Sequence, residues 1–324
     1  MHVLITGATG FVGTYLREHV RAQAAWRLTG TTYPDLPPTP ADPREEFVYL
    51  DLRQTEDVRA LLAERRPDAI IHLAAQSHVP TAYRDPWDTL ENNIHGQLNL
   101  LEACVALGLK PRFLVIGSGE EYGRDAPEAM PLREEHPLRP ENPYSVSKVA
   151  QDVLGYQYFI SYDIPVVRLR PFNHVGPRQS PRFVLPAFAQ QVARIEAGLQ
   201  EPVLRVGNLS PARDFTDVRD VVRAYLLALQ QGRPGEVYNV CSGTAHSIQS
   251  IVNRLLELAR LPISVEVDPE RYRPADVPVV FGSAEKLQRE TGWEPQIPFE
   301  QTVQDVLEEW RGVVRIKNQE ALQR

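Results

Sequence analysis

MHVLITGATGFVG, residues 1–13, is the stretch on which the fold turns. Residues 2–6 form a short apolar run that ends at a glycine, which reads as a buried strand. From Phe11 to Val20 the apolar residues recur at helical spacing. The turn between them is glycine-rich. Gly7 permits a tight turn, Gly10 lets the backbone approach a pyrophosphate, and Gly13 lets helix and strand pack closely. Thr9, Phe11 and Val12 complete the loop. The helix that starts here offers unpaired N–H groups and a positive dipole end to phosphates. A strand, a glycine turn and a helix in this order predict a dinucleotide site rather than a merely tight connection.

Outward from this turn, apolar runs recur at 26–32, 47–50, 69–74, 113–116 and 165–169. Helix-like stretches at 55–66, 87–107 and 145–159 separate them. Alternation of this kind predicts an α/β fold, a Rossmann-type doubly wound parallel sheet covered on both faces. After Arg170 the alternation fails, and Pro171, Pro177, Pro181 and Pro186 punctuate the chain. Helices are expected up to Gly198 and at 218–231, 247–261 and 299–311, with strands at 236–240 and 263–267. The expectation is a nucleotide-binding domain of residues 1–170 plus about 212–240. A smaller, discontinuous mixed α/β substrate domain takes about 171–211 plus 241–324.

Composition excludes several classes. With 43% hydrophobic and 24% charged residues the chain is a folded protein rather than a disordered one. Thirty-five basic against 42 acidic side chains leave a net charge of −7, which argues against a nucleic-acid binder. The whole acidic excess lies in the first half, with 15 basic and 22 acidic residues up to position 162, against 20 of each beyond. Cys104 and Cys241 are too few for a disulfide framework, which points to a reducing compartment. No apolar run is long enough to span a membrane, and residues 1–10 lack the pattern of a signal peptide, so a cytoplasmic protein is expected. The histidines and cysteines show no metal-ligand spacing, so no metal is expected.

Tyr144 and Lys148 stand four residues apart and share one face of a predicted helix. A phenol is a poor acid–base at neutral pH, and a fixed ammonium beside it is expected to lower its pKa. A shift of roughly 3 units requires about 4 kcal/mol of differential interaction. Ser118 follows the apolar run 113–116, at the edge of the sheet where ligands bind in open α/β folds. Its hydroxyl suits stabilisation of a developing oxyanion. His78 lies just past another strand end and is a candidate for the same pocket. Between Ile164 and Ile195 there is no acidic residue, whereas Arg168, Arg170, Arg178, Arg182 and Arg194 all fall there. Arginine forks suit diphosphate oxygens. Arg168 and Arg170 alternate on a strand, and a structural role is equally open for them.

The GxxGxxG spacing, the Tyr144–Lys148 pair and Ser118 four residues before Tyr122 together resemble the extended short-chain dehydrogenase/reductase superfamily. The resemblance implies that Asp51 and Leu52 contact adenine, that Leu73, Ala74 and Ala75 line the coenzyme, and that Asn93 orders the region. It places Thr32 in the slot where an acid would hold a ribose 2′-hydroxyl. With no acid there, NADPH is favoured over NADH. Ser118-Gly119-Glu120 departs from the pattern of the 4,6-dehydratases, which carry a side chain at the middle position.

RLRPFNHVGPRQSPRF (168–183), RDFTDVRDVVRAY (213–225), EVYNVCSG (236–243) and RPADVP (273–278) resemble the GDP-6-deoxy-4-keto-D-mannose reductases. That family reduces the 4-keto group of GDP-4-keto-6-deoxy-D-mannose to GDP-D-rhamnose with NADPH or NADH. The resemblance implies that Asn173, Arg213, Arg273 and Asp276 hold the sugar nucleotide; Arg182, from the acid-free run, His78, from its place past a strand end, and Glu120 are further candidates for contact, Glu120 being equally open as a remnant of shared ancestry. It also implies a homodimer built on 87–107 and 145–160. A GDP-mannose 4,6-dehydratase, a nucleotide-sugar 4-epimerase and a non-catalytic coenzyme-binding sensor or scaffold are the alternatives.

Overall fold

The computed structural model describes residues 1–124, 129–269 and 277–322. Its frame is a seven-stranded sheet in which every neighbouring pair is parallel. The strands are β1 (His2–Thr6), β2 (Arg27–Thr32), β3 (Glu45–Tyr49), β4 (Ala69–His72), β5 (Arg112–Ile116), β6 (Val166–Pro171) and a last one at Val237–Val240. Their order is Val237–Val240, β6, β5, β4, β1, β2, β3. The order reverses between β4 and β1, and the crevice at such a switch point is where ligands bind.

β1, β4 and β5 are mostly apolar because both faces of the sheet are covered, whereas β2 carries Thr29, Thr31 and Thr32 and β3 begins with Glu45 and Glu46. Val3, Ile5, Ile71, Leu114 and Leu169 face one buried cluster, with Val218–Gln231 helix residues such as Val221 and Tyr225. Leu4, Ile70, Phe113, Val115 and Val166 face the other, against Leu61, Leu100 and Tyr158. Side-chain alternation along each strand feeds the two clusters in turn.

The expected helix at 87–107 is interrupted. Helical turns at Pro86–Leu90 pass into a π-helical turn at Glu91–His95 and then a helix at Gly96–Ala106. The wide turn carries Asn93, fully buried. Asn93 accepts from Gln76 N at 2.7 Å and donates to Gln76 O at 3.0 Å and Ser147 Oγ at 2.9 Å. One side chain thus joins the loop after β4 to the Pro143–Tyr162 helix.

A second, smaller sheet joins Ala245–Ser247, Ala212–Asp217 and Val279–Val280, with Asn173–Val175 also paired to Ala212–Asp217. Antiparallel and parallel pairings are mixed in it. Its core includes Phe188, Val192, Ile251, Leu307 and Trp310. The expected domain limits shift in two places. Residues 212–217 belong to the small sheet, and the chain returns to the large core at Val218. The unpredicted helix Glu285–Thr291 puts Leu287 into the large core, joined there by Trp293. The last helix runs over Phe299–Leu322 rather than ending near 311. Among the described residues no helix is long and apolar enough to cross a membrane.

Candidate active site

A cavity of about 540 Å³ opens at the C-terminal edge of the parallel sheet and extends under the small sheet. Gly7, Gly10, Phe11, Val12, Leu73 and Ala75 form one wall, and Ser118, Glu120, Tyr144, Lys148, Asn173 and Arg213 form the other. The sequence had scattered these residues over two hundred positions.

The glycine turn is built as its spacing requires. Gly7 has φ +67°, and a Cβ there would lie 3.0 Å from the Ala74 backbone. At Gly13 a Cβ would press on Gly7 O at 2.6 Å. Gly10 caps α1 (Phe11–Ala22) with no side-chain hydrogen bond, so first-turn N–H groups stay available to an anion. These features fit a dinucleotide pyrophosphate. Thr9 is half-buried beside the turn.

The ribose end differs from expectation. Thr32 is buried, with Oγ1 sealed from solvent, so it offers no hydroxyl to a ribose. Tyr33 and Arg53 are the polar groups presented instead. Tyr33 is 44% exposed and tilted against Tyr49, and Arg53 Nη2 lies 3.4 Å from its hydroxyl. Asp51 does stand at this edge, but Arg53 clasps it at 2.8 Å, which holds its carboxyl below the usual range. Leu52 is buried, and its carbonyl accepts from Asn99 Nδ2 at 2.8 Å.

Tyr144 sits in the first turn of the Pro143–Tyr162 helix. Asn142 caps that helix by accepting from Ser145 N at 2.8 Å, a cap worth roughly 1 kcal/mol. Ser118 in turn caps a short helical turn at Gly119–Tyr122, accepting from Glu120 N at 3.1 Å. Lys148 is 5% exposed and donates to Ile116 O at 2.8 Å, with Nζ 5.9 Å from the Tyr144 ring centre. Burial lowers its pKa to about 8, against a raising effect of Glu121.

The protein's own neighbours do not acidify Tyr144. Burial first, then the charges of Glu120 and Glu121, push its phenol well above the ordinary value, and a hydrogen bond with Ser118 only partly opposes this. The ammonium is turned to the Ile116 carbonyl rather than to the phenol. The phenol therefore holds its proton more tightly than a free tyrosine.

Glu120 is open to the cavity yet crowded by protein atoms, and this desolvation raises its pKa. Asn142 Nδ2 donates to Glu120 Oε2 at 3.0 Å. Gly119 beside it is tightly packed: a Cβ there would lie 3.0 Å from the Phe172 ring, which would have to give way. Arg213 reaches the cavity from the small sheet, and burial lowers its pKa while Glu120 raises it. His174 stacks on Phe11 at 6.1 Å, and burial lowers its pKa.

Other expected contacts lie elsewhere. Arg182 is exposed and does not line the cavity. His78 sits behind the wall, bonded to Thr81 Oγ1 at 3.0 Å and edge-on to Phe183, which does line it. Arg168 and Arg170 turn inward to Asp152, at 2.5 and 2.9 Å. Arg273 and Asp276 lie outside the described residues. Asn142 was missed by sequence reasoning; the only signal for it is a cap residue one place before Pro143.

Comparison with known proteins agrees with this geometry. The family described as GDP-mannose 4,6 dehydratase matches residues 4–306. GDP-6-deoxy-D-mannose reductase of Pseudomonas aeruginosa is 40% identical over 314 residues, covering 97% of this chain and 98% of that protein. The structure of RMD from Pseudomonas aeruginosa complexed with NADPH superposes with a TM-score of 0.86 at 40% identity, covering 96% and 99% of the two chains. That of Thermus thermophilus UDP-glucose 4-epimerase in complex with NAD gives 0.85 at 31% identity, covering 96% and 99%. The glycine turn, the Tyr144–Lys148 helix and full-length similarity converge: the chain belongs to the GDP-mannose 4,6-dehydratase family, within the extended short-chain dehydrogenase/reductase oxidoreductases.

Proposed function

We propose that the protein reduces the 4-keto group of GDP-4-keto-6-deoxy-D-mannose to give GDP-D-rhamnose. The observation that carries this is the Ser118, Tyr144 and Lys148 set facing the glycine turn across one cavity, in a chain so similar to a reductase over its whole length. A bound NADPH or NADH supplies hydride to the ketone carbon. Tyr144 gives its proton to the sugar oxygen as charge develops there. Its raised pKa suits that direction, because the acid must arrive protonated and yield only to a strong base such as an alkoxide. Ser118 donates a hydrogen bond to the same oxygen. Lys148, fixed on Ile116 O on the same helix face as Tyr144, would orient the coenzyme ribose.

Asn173 and Arg213 hold the sugar nucleotide from the small-sheet side, with Arg273 and Asp276 assigned there by their motif alone. Arg53 favours NADPH: it neutralises Asp51 and offers, beside Tyr33, a guanidinium that would suit a 2′-phosphate. The packing of Phe172 on Gly119 favours reduction over dehydration, since it fills the place of the side chain that dehydratases carry between Ser118 and Glu120. The two proposed domains, coenzyme-binding and sugar-nucleotide-binding, meet at this cavity. A homodimer is supported by the exposed apolar residues Trp87, Val153, Tyr156 and Ile160 on and beside the Pro143–Tyr162 helix, and sedimentation mass tests it.

The decisive experiment incubates the protein with GDP-4-keto-6-deoxy-mannose and each coenzyme, and identifies the product by NMR. Stoichiometric coenzyme oxidation with formation of GDP-rhamnose is expected. No coenzyme oxidation with the ketosugar, together with conversion of GDP-mannose to the ketosugar without net consumption of coenzyme, would overturn the reading.

A further inference from the structure

Glu120 and Glu121 are neighbours in sequence and opposites in the structure. Glu120 opens on the cavity, whereas Glu121 is fully buried behind it. Glu121 Oε1 accepts from Ser118 N at 2.7 Å and closes a reciprocal cap over the short turn. Its Oε2 lies 3.1 Å from Arg170 Nε. That N–H is directed at Asp152 Oδ2, 2.9 Å away, so Oε2 receives no hydrogen bond among the described residues. Gly117 leaves the space for this carboxyl, since a Cβ there would overlap Oε1.

A buried carboxylate oxygen without a donor is costly and calls for an explanation. The surroundings suggest one. Strand β5 ends at Ile116, whose carbonyl anchors Lys148, and two residues later comes Ser118. Glu121 grips the backbone that joins the two. Its charged neighbours are Arg170 and Arg168 on β6 and Asp152 and Lys148 on the Pro143–Tyr162 helix; Tyr122 lies on its own turn and Tyr144 at the helix start. His72 on β4 faces Lys148 as a neutral ring, lowered to about 3 by burial and by that ammonium. Three cations, Arg168, Arg170 and Lys148, thus share two carboxylates, Asp152 and Glu121, and loss of the Glu121 charge would leave Asp152 alone against all three. The two act on each other: Glu121 raises the lysine, and Lys148, with Arg170, opposes the burial and the Asp152 charge that push Glu121 upward.

We propose that Glu121 is a positioning residue for this reaction: gripped beside Arg170 and holding Ser118 N, it fixes the exit of β5 so that Ser118 and Lys148 address one point. Paired with Arg170 as a carboxylate, it also presents a negative charge toward Lys148. The proposal rests on the reductase reading above. It explains why a buried acid is kept where an apolar residue would pack more cheaply.

The chain has four lysines, at 110, 148, 286 and 317, so ¹³C-labelled lysine resolves each ε-carbon and Lys148→Arg assigns the one of interest. Glu121→Gln keeps an acceptor for Ser118 N and removes the charge. The expected result is a fall of the Lys148 titration midpoint by about half a pH unit or more. The alkaline limb of kcat should move down by the same amount, with the ketosugar KM unchanged within about two-fold. Glu121→Asp restores the charge on a shorter arm. It should return the Lys148 midpoint while kcat stays depressed, and it serves alone if the glutamine variant does not fold. An unmoved Lys148 midpoint and an unmoved pH profile in Glu121→Gln, with only Tm lowered, would overturn the proposal, as would an aspartate variant equal to wild type in both readouts. If the wild type does not reduce the ketosugar, the functional reading fails, and the NMR titration still decides whether Glu121 sets the charge of Lys148.

Discussion

At the β5 end of the coenzyme groove, Lys148 is 5% exposed, tied to a backbone carbonyl and backed by a buried ion network. At the β2–β3 end, Tyr33 is 44% exposed and Arg53 is a surface cation shared between Asp51 and a more distant Asp88. The first region is assembled before any ligand arrives, which is how electrostatic preorganisation lowers a barrier. The second is a set of exposed side chains that a ligand must still order. Changes at the first should therefore cost turnover, and changes at the second should alter only which coenzyme is preferred.

The sharpest test of that contrast is Tyr144→Phe. Removal of a positioned general acid costs about 10²–10⁴ in kcat, and coenzyme affinity should stay within about two-fold because the hydroxyl is not needed to bind it. Single-turnover kinetics and fluorescence titration separate the two quantities. Reduction at a near-normal rate would remove Tyr144 from the mechanism and erase the distinction between the regions.

Gly7→Ala comes next and acts at the boundary between them. An L-residue at φ +67° costs roughly 1–2 kcal/mol, and the new Cβ meets the Ala74 backbone at 3.0 Å. Coenzyme Kd should rise about tenfold and Tm should fall by roughly 2–6 °C, with kcat at saturating coenzyme nearly intact. A loss confined to kcat would show that the turn shapes the chemical step rather than the binding of phosphate.

What could be read from the residues follows the same division. The glycine turn and the Tyr144–Lys148 pair are short, fixed spacings on one element, and such spacings survive without knowledge of the tertiary fold. Thr32 misled because β2 is buried on both sides, so its sequence RLTGTT carries no alternation to show which residues face a ligand. Arg182 fell in an acid-free run, but a run does not say which way a surface loop turns. Arg168 and Arg170 read equally as anion ligands or as structure, and only Asp152, on a helix sixteen and eighteen residues away, decides for structure. Glu120 and Glu121 are indistinguishable as letters. The fold separates them because the capping turn after Ser118 directs one carboxyl outward and the other under Gly117. The helix Glu285–Thr291 is seven residues of mostly polar sequence and enters the core through Leu287, too little for periodicity to register.

Arg53→Ala is the mildest change, and it tests the exposed region by itself. A ribose 2′-phosphate carries nearly two negative charges, and a charge-assisted hydrogen bond to it is worth about 1.5–3 kcal/mol when desolvated. Arg53 is partly exposed and already engaged by Asp51, so solvent screening and competition reduce that to roughly 1 kcal/mol. KM for NADPH should rise about fivefold, while KM for NADH is unchanged or falls, and kcat with either is preserved. The substitution also frees Asp51, and a bare carboxylate at this edge repels a phosphate but accepts a ribose hydroxyl, which pushes preference further toward NADH. Raising the salt concentration should shrink the NADPH effect, because it depends on an exposed charge. Equal losses for both coenzymes would mean that Arg53 serves the adenine or the Tyr33 ring it overlies at 5.8 Å, and not the phosphate. A fall in kcat would mean that the two ends of the groove are mechanically coupled after all.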